Sequence, residues 1–295
     1  MEAIATTKPF KIPVGGRTIR GQHLDIPDIE TLVENVGKVS KNLSIKNFFN
    51  NHRKTENSDI YDFESFKKSI SSPWEFGMNC FDDLKSQISE RDLPLPVINR
   101  RRQTWSDEGG DHVSVDRYRS GDPFWIDVKK SPAVGTKVVT VTIDLAASYN
   151  VPARMILWRG IVGVILCEIL EKSGYRVELM AHTLSGDAFR NSDDLFLTTV
   201  PIKKSHEQLD VVKMVNVTSG WFFRIGFFYS YYTQPKDLVF SLGYPVEIGK
   251  GAEDLPNIFP DGTHVVENCF NLKSSKEVLE SILKKFSSPK RDSNE

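Results

Sequence analysis

The chain predicts an α/β domain, a mostly parallel sheet flanked by helices, with a helical region in front of it. Three observations carry this expectation. Lys137 to Leu145 alternates like a strand, with Val139, Val141, Ile143 and Leu145 on one face. Val151 to Ser173 follows as a long apolar helix, with Pro152 in its first turn and Gly174 placed as a left-handed stop. Strand and helix patterns then alternate as far as Phe286, which implies helices on both faces of the sheet.

Taken in order, residues 1 to about 24 read as irregular, because Gly15 and Gly16 interrupt any element. The first helix is IPDIETLVENVGKVS, where Ile29, Leu32, Val33 and Val36 recur at helical spacing. A polar loop, NNHRKTENSD, separates it from two shorter helical patterns. DFESFKKSI puts Phe63, Phe66 and Ile70 on one face. SPWEFGMNCFDDLKSQI puts Trp74, Phe76, Cys80, Phe81 and Leu84 on another, as a core-packing surface. LPLPVINRRRQTWSDEGGD reads as a connector, and HVSVDRYRSGDPFWIDV as a strand or turn leading to an aromatic plug at Phe124 and Trp125.

After the long helix, Tyr175 to Ala181 and Leu195 to Ile202 are strands joined without a helix, as an antiparallel pair would be. Ser205 to Gln208 is a capping box that should open a helix running to about Val215. Thr218-Ser219-Gly220 breaks it, and Trp221 to Tyr231 is a buried aromatic helix. Asp237 to Leu242 and His264 to Phe270 are strands. A second capping box, Ser274 to Glu277, opens a helix with Val278, Leu279, Ile282, Leu283 and Phe286 on one stripe. The expected division is 1–130, a helical region and connector, then 137–286, the α/β domain, then 287–295, a polar tail.

Composition narrows function. The 295 residues carry 38 Lys and Arg against 39 Asp and Glu, so the chain as a whole is no polyanion binder. The three cysteines, Cys80, Cys167 and Cys269, form no paired motif, which argues against a disulfide framework or zinc site and for a reduced, cytoplasmic setting. No signal peptide is visible, and the longest apolar run, Met155 to Leu170, is broken by Arg159 and Glu168, so no membrane association is expected. There is no glycine-rich phosphate loop, no nucleophile elbow and no His-x-x-x-His pair. His182 follows a strand and either lines the rim near Asp144 or is a surface group. Arg159 falls among apolar residues and should pair with a buried acid such as Asp144 or Glu168, or face the rim. Arg100, Arg101 and Arg102, with Arg117, Arg119 and interleaved aromatics, form the candidate nucleic-acid surface, diluted by Asp107, Glu108, Asp111, Asp116 and Asp122.

The stretch VVTVTIDLAASYN ends a buried strand in Asp144 and small residues, the place where α/β sheets bind ligands. Asp144, Ala146 and Ser148, with the element order over about 137–286, resemble the von Willebrand factor A-like fold. In that family the first strand ends in Asp-x-Ser-x-Ser, a Thr comes from the loop between the second and third helices, and an Asp follows the fourth strand. Thr218 is the loose match for the Thr, and Ser241-Leu242-Gly243 stands where Thr-Asp-Gly is usual. The resemblance implies an eroded Mg²⁺ site of Asp144, Ser148 and Thr218, short of one hydroxyl and one carboxylate. The alternative is that Asp144 and Ser148 cap the turn and the following helix. No other cofactor is expected.

Arg159, Gly160, Glu171, Gly174, Val177 and Glu178 are similar to an uncharacterised family from bacteriophages and mobile elements. The element order, the eroded metal site and the lack of a complete catalytic set point to a non-enzymatic protein-binding or assembly module, in the cytoplasm of a host bacterium if phage-encoded. The partner rim would be Asp144, Ser148, Thr218 and His182, and an AAA+ ATPase is one partner class. The alternatives are a nucleic-acid-binding factor using Arg100 to Arg119, and a metal-dependent hydrolase built on Asp144.

Overall fold

The computed structural model of the chain describes residues 6–14, 17–40, 60, 62–88, 103–106, 112–113, 115–128, 137–147, 151–186, 195–232, 259, 262–266 and 269–287. In chain order the elements are β1 (Thr6–Val14), β2 (Arg17–Asp25), α1 (Ile29–Ser40), α2 (Phe63–Ser69), α3 (Glu75–Ser86), β3 (Gln103–Ser106), β4 (His112–Val113), α4 (Val115–Ser120) and β5 (Trp125–Val128). They continue with β6 (Val138–Asp144), α5 (Ala153–Lys172), β7 (Arg176–Gly186), β8 (Leu195–Lys203), α6 (Val211–Val217), α7 (Gly220–Tyr232), β9 (His264–Val266) and α8 (Leu272–Ser287).

The main sheet has six strands in the order β1-β2-β8-β7-β6-β9. It is mixed. The β2/β8, β6/β7 and β6/β9 pairings are parallel, and the β1/β2 and β7/β8 pairings are antiparallel. The α/β class and the antiparallel β7/β8 pair therefore agree with the sequence expectation.

Residues 6–14 and 17–25 correct the expectation of an irregular start. They form a hairpin whose second strand adds to the same sheet, beside β8. The register sets Val14 opposite Arg17, leaving only Gly15 and Gly16 between the strands. Two glycines between extended runs are a hairpin signal as well as a break. Pro9 and Pro13 obscured it. A proline has no N–H to donate, so it fits a paired strand only where that group would point away from the partner. Both occupy positions of the same parity on β1, at the end of the sheet order, so they strip donors from its outer edge and blunt it against further pairing.

The connector also contains more structure than expected. β3, β5 and β4 form a separate three-stranded antiparallel sheet, with α4 between β4 and β5. Arg117 Nε donates to the Pro123 carbonyl at 2.9 Å, and Gly121 turns the chain at φ +74°.

Two helix starts are displaced. Asp210, not Ser205, caps α6, accepting from the Lys213 amide at 2.9 Å, while Glu207 folds back onto the Lys204 amide. Asn271 caps α8. Its Oδ1 accepts from the Ser274 amide and Ser274 Oγ accepts from the Asn271 amide, so the box lies one turn earlier than predicted. In both places an Asx side chain, downstream of Ser205 in one and upstream of Ser274 in the other, took the cap in place of the serine. β9 is shorter than the predicted 264–270. The predicted strand 237–242 and the tail after residue 287 lie outside the described residues.

Packing centres on α5. Its residues are buried nearly all round, because it lies between the sheet and a second layer of helices. Gly163 lets it touch Ile143 of β6 and Leu179 of β7, and Gly160 lets Thr218 press against it from the other layer. The helix ends as predicted. Gly174 has φ +91°, the Tyr175 amide reaches the Leu170 carbonyl, and the Gly174 amide reaches that of Glu171. One hydrophobic core joins Val139, Val141, Ile143, Val177, Leu179, Phe196 and Val200 to the helices. The alternate residues of these strands face the other way. Val138 and Arg176 are exposed there, Glu178 is half-buried, and the buried Leu184 and Leu197 lie outside that core. Among the described residues, helices thus cover one face of the sheet rather than both.

Candidate functional site

The site is the carboxyl end of β6, where Asp144 ends the strand. Asp144 closes a turn. Its Oδ1 accepts from the Ala146 amide at 2.8 Å, and the Leu145 amide continues the ladder to the His182 carbonyl at 3.0 Å. Arg159, from the second turn of α5, reaches back into this turn. Its Nη1 donates to the carbonyls of Asp144 at 3.0 Å and Ala146 at 2.8 Å. The guanidinium lies 5.0 Å from the centre of the Phe270 ring and is buried. Arg159 therefore meets the backbone of Asp144. Glu168, the other acid considered for it, pairs with Lys85 at 2.7 Å and Lys172 at 3.0 Å, which holds its carboxyl below the usual range against the opposing effect of burial.

His182 is directly across from Asp144 on β7 and is fully buried, which corrects the surface reading. Its Nδ1 is 2.7 Å from Thr142 Oγ1, and its Nε2 is 4.0 Å from Asp144 Oδ1. If Nδ1 carried the proton, the Nε2 lone pair would face a carboxylate. The arrangement favours Thr142 donating to Nδ1 and a proton on Nε2. Phe259 covers the ring, with centroids 5.0 Å apart. Burial, and secondarily the Arg159 charge, push the imidazole down to about 3, so it is neutral at ordinary pH.

A row of polar residues continues across the sheet from this corner. Asp144, His182, Thr199 and Asp25 are cross-strand neighbours on β6, β7, β8 and β2. Thr199 Oγ1 donates to Asp25 Oδ1 at 3.2 Å, so His23 Nε2, at 2.7 Å from the same hydroxyl, is the donor to it. Sequence reasoning missed this row. It draws on four separated segments, and only the strand register brings them level.

The resemblance implied an oxygen cage for Mg²⁺. Thr218 is fully buried, and its hydroxyl donates to the Met214 carbonyl at 2.9 Å, on the side of Gly160. Asp144 Oδ1 is engaged by the Ala146 amide. Ser148 and Leu242 lie outside the described residues. Among the described residues no group of three or more His, Cys, Asp or Glu side chains is placed to hold a metal ion. The described donors fit a hydrogen-bonded turn and do not fit a Mg²⁺ shell.

On the other candidate surface, Arg100, Arg101 and Arg102 lie outside the described residues. Arg117 is half-buried and braces its own turn, whereas Arg119 is exposed beside the exposed Tyr118.

The six residues that suggested a mobile-element kinship have clear structural positions. Arg159 braces the turn, Gly160 admits Thr218, and Gly174 ends α5. Glu171 pairs at 2.6 Å with Lys203, a lysine buried at the end of β8 whose Nζ also donates to the Val177 carbonyl. Glu178 is half-buried on the opposite face of β7.

The molecule is thus an α/β protein on a mixed six-stranded sheet, with an arginine-braced turn at the end of a central strand. A family model described as Domain of unknown function (DUF7192) matches residues 19–288, and the chain belongs to that family. No curated protein and no solved structure matches the chain. No helix among the described residues is long and apolar enough to cross a membrane.

Proposed function

We propose that the protein is a non-enzymatic binding module that meets a protein partner at the turn after β6. The observation behind this reading is that the polar groups of the corner are spent on structure. Asp144, Arg159 and Thr218 hold backbone, Thr142 bonds the His182 ring, and that ring is sealed under Phe259. General acid–base work needs a group within reach of substrate and poised near the working pH, and His182 meets neither condition. The order strand, helix, strand, strand, two helices, strand, helix over 138–287 is that of an α/β domain, and the von Willebrand A-like part of the proposal rests on Asp144, Ala146 and Ser148 in the sequence. The proposal includes a phage or mobile-element origin and an AAA+ ATPase as one partner class, both resting on the resemblances in the sequence.

Calorimetric titration of Mg²⁺ and Mn²⁺ into the wild type and Asp144→Ala tests the ion-free part. No heat from either protein is expected, and wild-type binding lost in Asp144→Ala would sink it. Co-purification of a partner with the wild type, lost in the folded variant Ala147→Arg, is the expected outcome for the binding part. Capture indifferent to that change would move the partner surface elsewhere. The exposed Tyr118 and Arg119 favour nucleic-acid binding as a second reading. It requires steeply salt-dependent binding of single-stranded DNA or RNA that Arg119→Glu abolishes.

A further inference from the structure

We infer that Arg159 is the positioning residue of the turn after β6, a fixed internal cation that preorganises residues 144–146 before any partner or ion arrives. The inference rests on the proposed use of that turn and adds how its shape is set. Two carbonyls, of Asp144 and Ala146, converge on one guanidinium nitrogen at 3.0 and 2.8 Å. Carbonyl oxygens two residues apart along a chain repel one another when they face the same point, so this conformation needs a positive group between them. A guanidinium supplies it through charge-assisted bonds.

The cation is itself held from behind. It lies on the Phe270 ring, at the start of the segment leading into α8, and it grows from α5, the most enclosed helix of the fold. The Asp144 side chain completes the turn from the other side by accepting the Ala146 amide. Turn, central helix and C-terminal segment are therefore coupled through one side chain. A mobile loop would lose ordering entropy on binding a partner, and this turn has already been ordered by folding.

A lysine cannot reproduce the arrangement. Its ammonium is a compact point charge on a flexible stem, and it lacks the planar fork that can lie on a ring while donating to two carbonyls. The site is also indifferent to divalent ions, because the position facing both carbonyls is already filled by protein.

Hydrogen exchange at two amides tests this, since Leu145 bonds to the His182 carbonyl and Ala146 to Asp144 Oδ1. In Arg159→Met their exchange should accelerate by roughly tenfold or more, the equivalent of losing a charged hydrogen bond, while the amides of β7 and α5 change less. Arg159→Lys should recover only part of the protection. Ethylguanidinium added to Arg159→Gly should restore protection at these two amides well beyond that gained by the amides of β7 and α5, which a side chain that only stabilised the fold as a whole would not produce. Mg²⁺ should leave the wild-type exchange unchanged. Unaltered exchange in Arg159→Met, or acceleration only in step with global unfolding, would overturn the inference. Failure of the partner experiment with Ala147→Arg would overturn the binding proposal instead, and would leave the role of Arg159 standing.

Discussion

The two faces of the main sheet are built on opposite principles. One face carries Val139, Val141, Ile143, Val177 and Leu179, and the helices close over it as a continuous apolar core. The other carries Thr142, Asp144, His182, Thr199, His23 and Asp25, with hydrogen bonds between Thr142 and His182 and between Thr199 and both His23 and Asp25. Burial of apolar area is non-directional and tolerates no polar gap, so the first face depends on filled volume. The second depends on matched donors and acceptors, whose net worth is small when satisfied and whose loss is costly when buried. The contrast shows where stability and where recognition can reside in one sheet.

The largest expected effect falls on the core face. Phe66 is fully buried and stacks on Phe222 at 4.9 Å, so Phe66→Ala should cost about 3–5 kcal/mol in urea unfolding. A cost near that of a surface change would break the picture of a single filled core.

Gly160→Ala comes next. Its new Cβ would clash with Thr218 Oγ1 and stand 2.5 Å from Thr218 Cβ and 2.8 Å from the Thr218 carbonyl. Overpacking of this kind should cost about 1–3 kcal/mol, and adding Thr218→Ala should recover only part, because the carbonyl remains.

The polar face should respond to pH instead. The folded state holds His182 neutral down to about pH 3, while in the unfolded chain it titrates near 6.5. Below 6.5 the unfolded state therefore binds more protons, and stability falls as pH drops between those values, by up to about 1.4 kcal/mol per unit. His182→Gln should flatten that part of the stability–pH curve. An unchanged slope would mean that His182 is not the group responsible.

Thr199→Val should cost about 1 kcal/mol, since it removes one hydroxyl whose partners, His23 and Asp25, are half-exposed and can turn to solvent. A cost comparable to Phe66→Ala would erase the difference between the faces. The smallest effect on stability is at the sheet edge. Replacing Pro9 and Pro13 by Thr should leave the unfolding midpoint nearly unchanged and raise self-association, measured by sedimentation, because two outward donors return.

The central half of the chain was legible because its signals are local. β6, α5, Gly174 as a stop and the break at 218–220 all follow from period and turn chemistry within a few residues. The N-terminal hairpin was illegible for an opposite reason. Pro9, Pro13 and two glycines mimic an irregular segment, and only pairing with β8 reveals a strand. At the site, Asp144 was visible as the end of a buried strand. Its role was not, because Arg159 reaches it from fifteen residues away. His182 looked like a surface group, since nothing local announces Phe259 above it.

The sequence alone therefore determined the α/β class, the order of elements through the central half and the charge of Arg159 among apolar residues. Those depend on backbone propensity and on the periodicity of side chains along one segment. Only the tertiary structure decided the mixed sheet, the gathering of the described helices on one face, the polar row and the bond from Arg159 to the turn. Each of these is a contact between segments far apart in the chain, and the chemistry of a residue does not specify which distant residue it will meet.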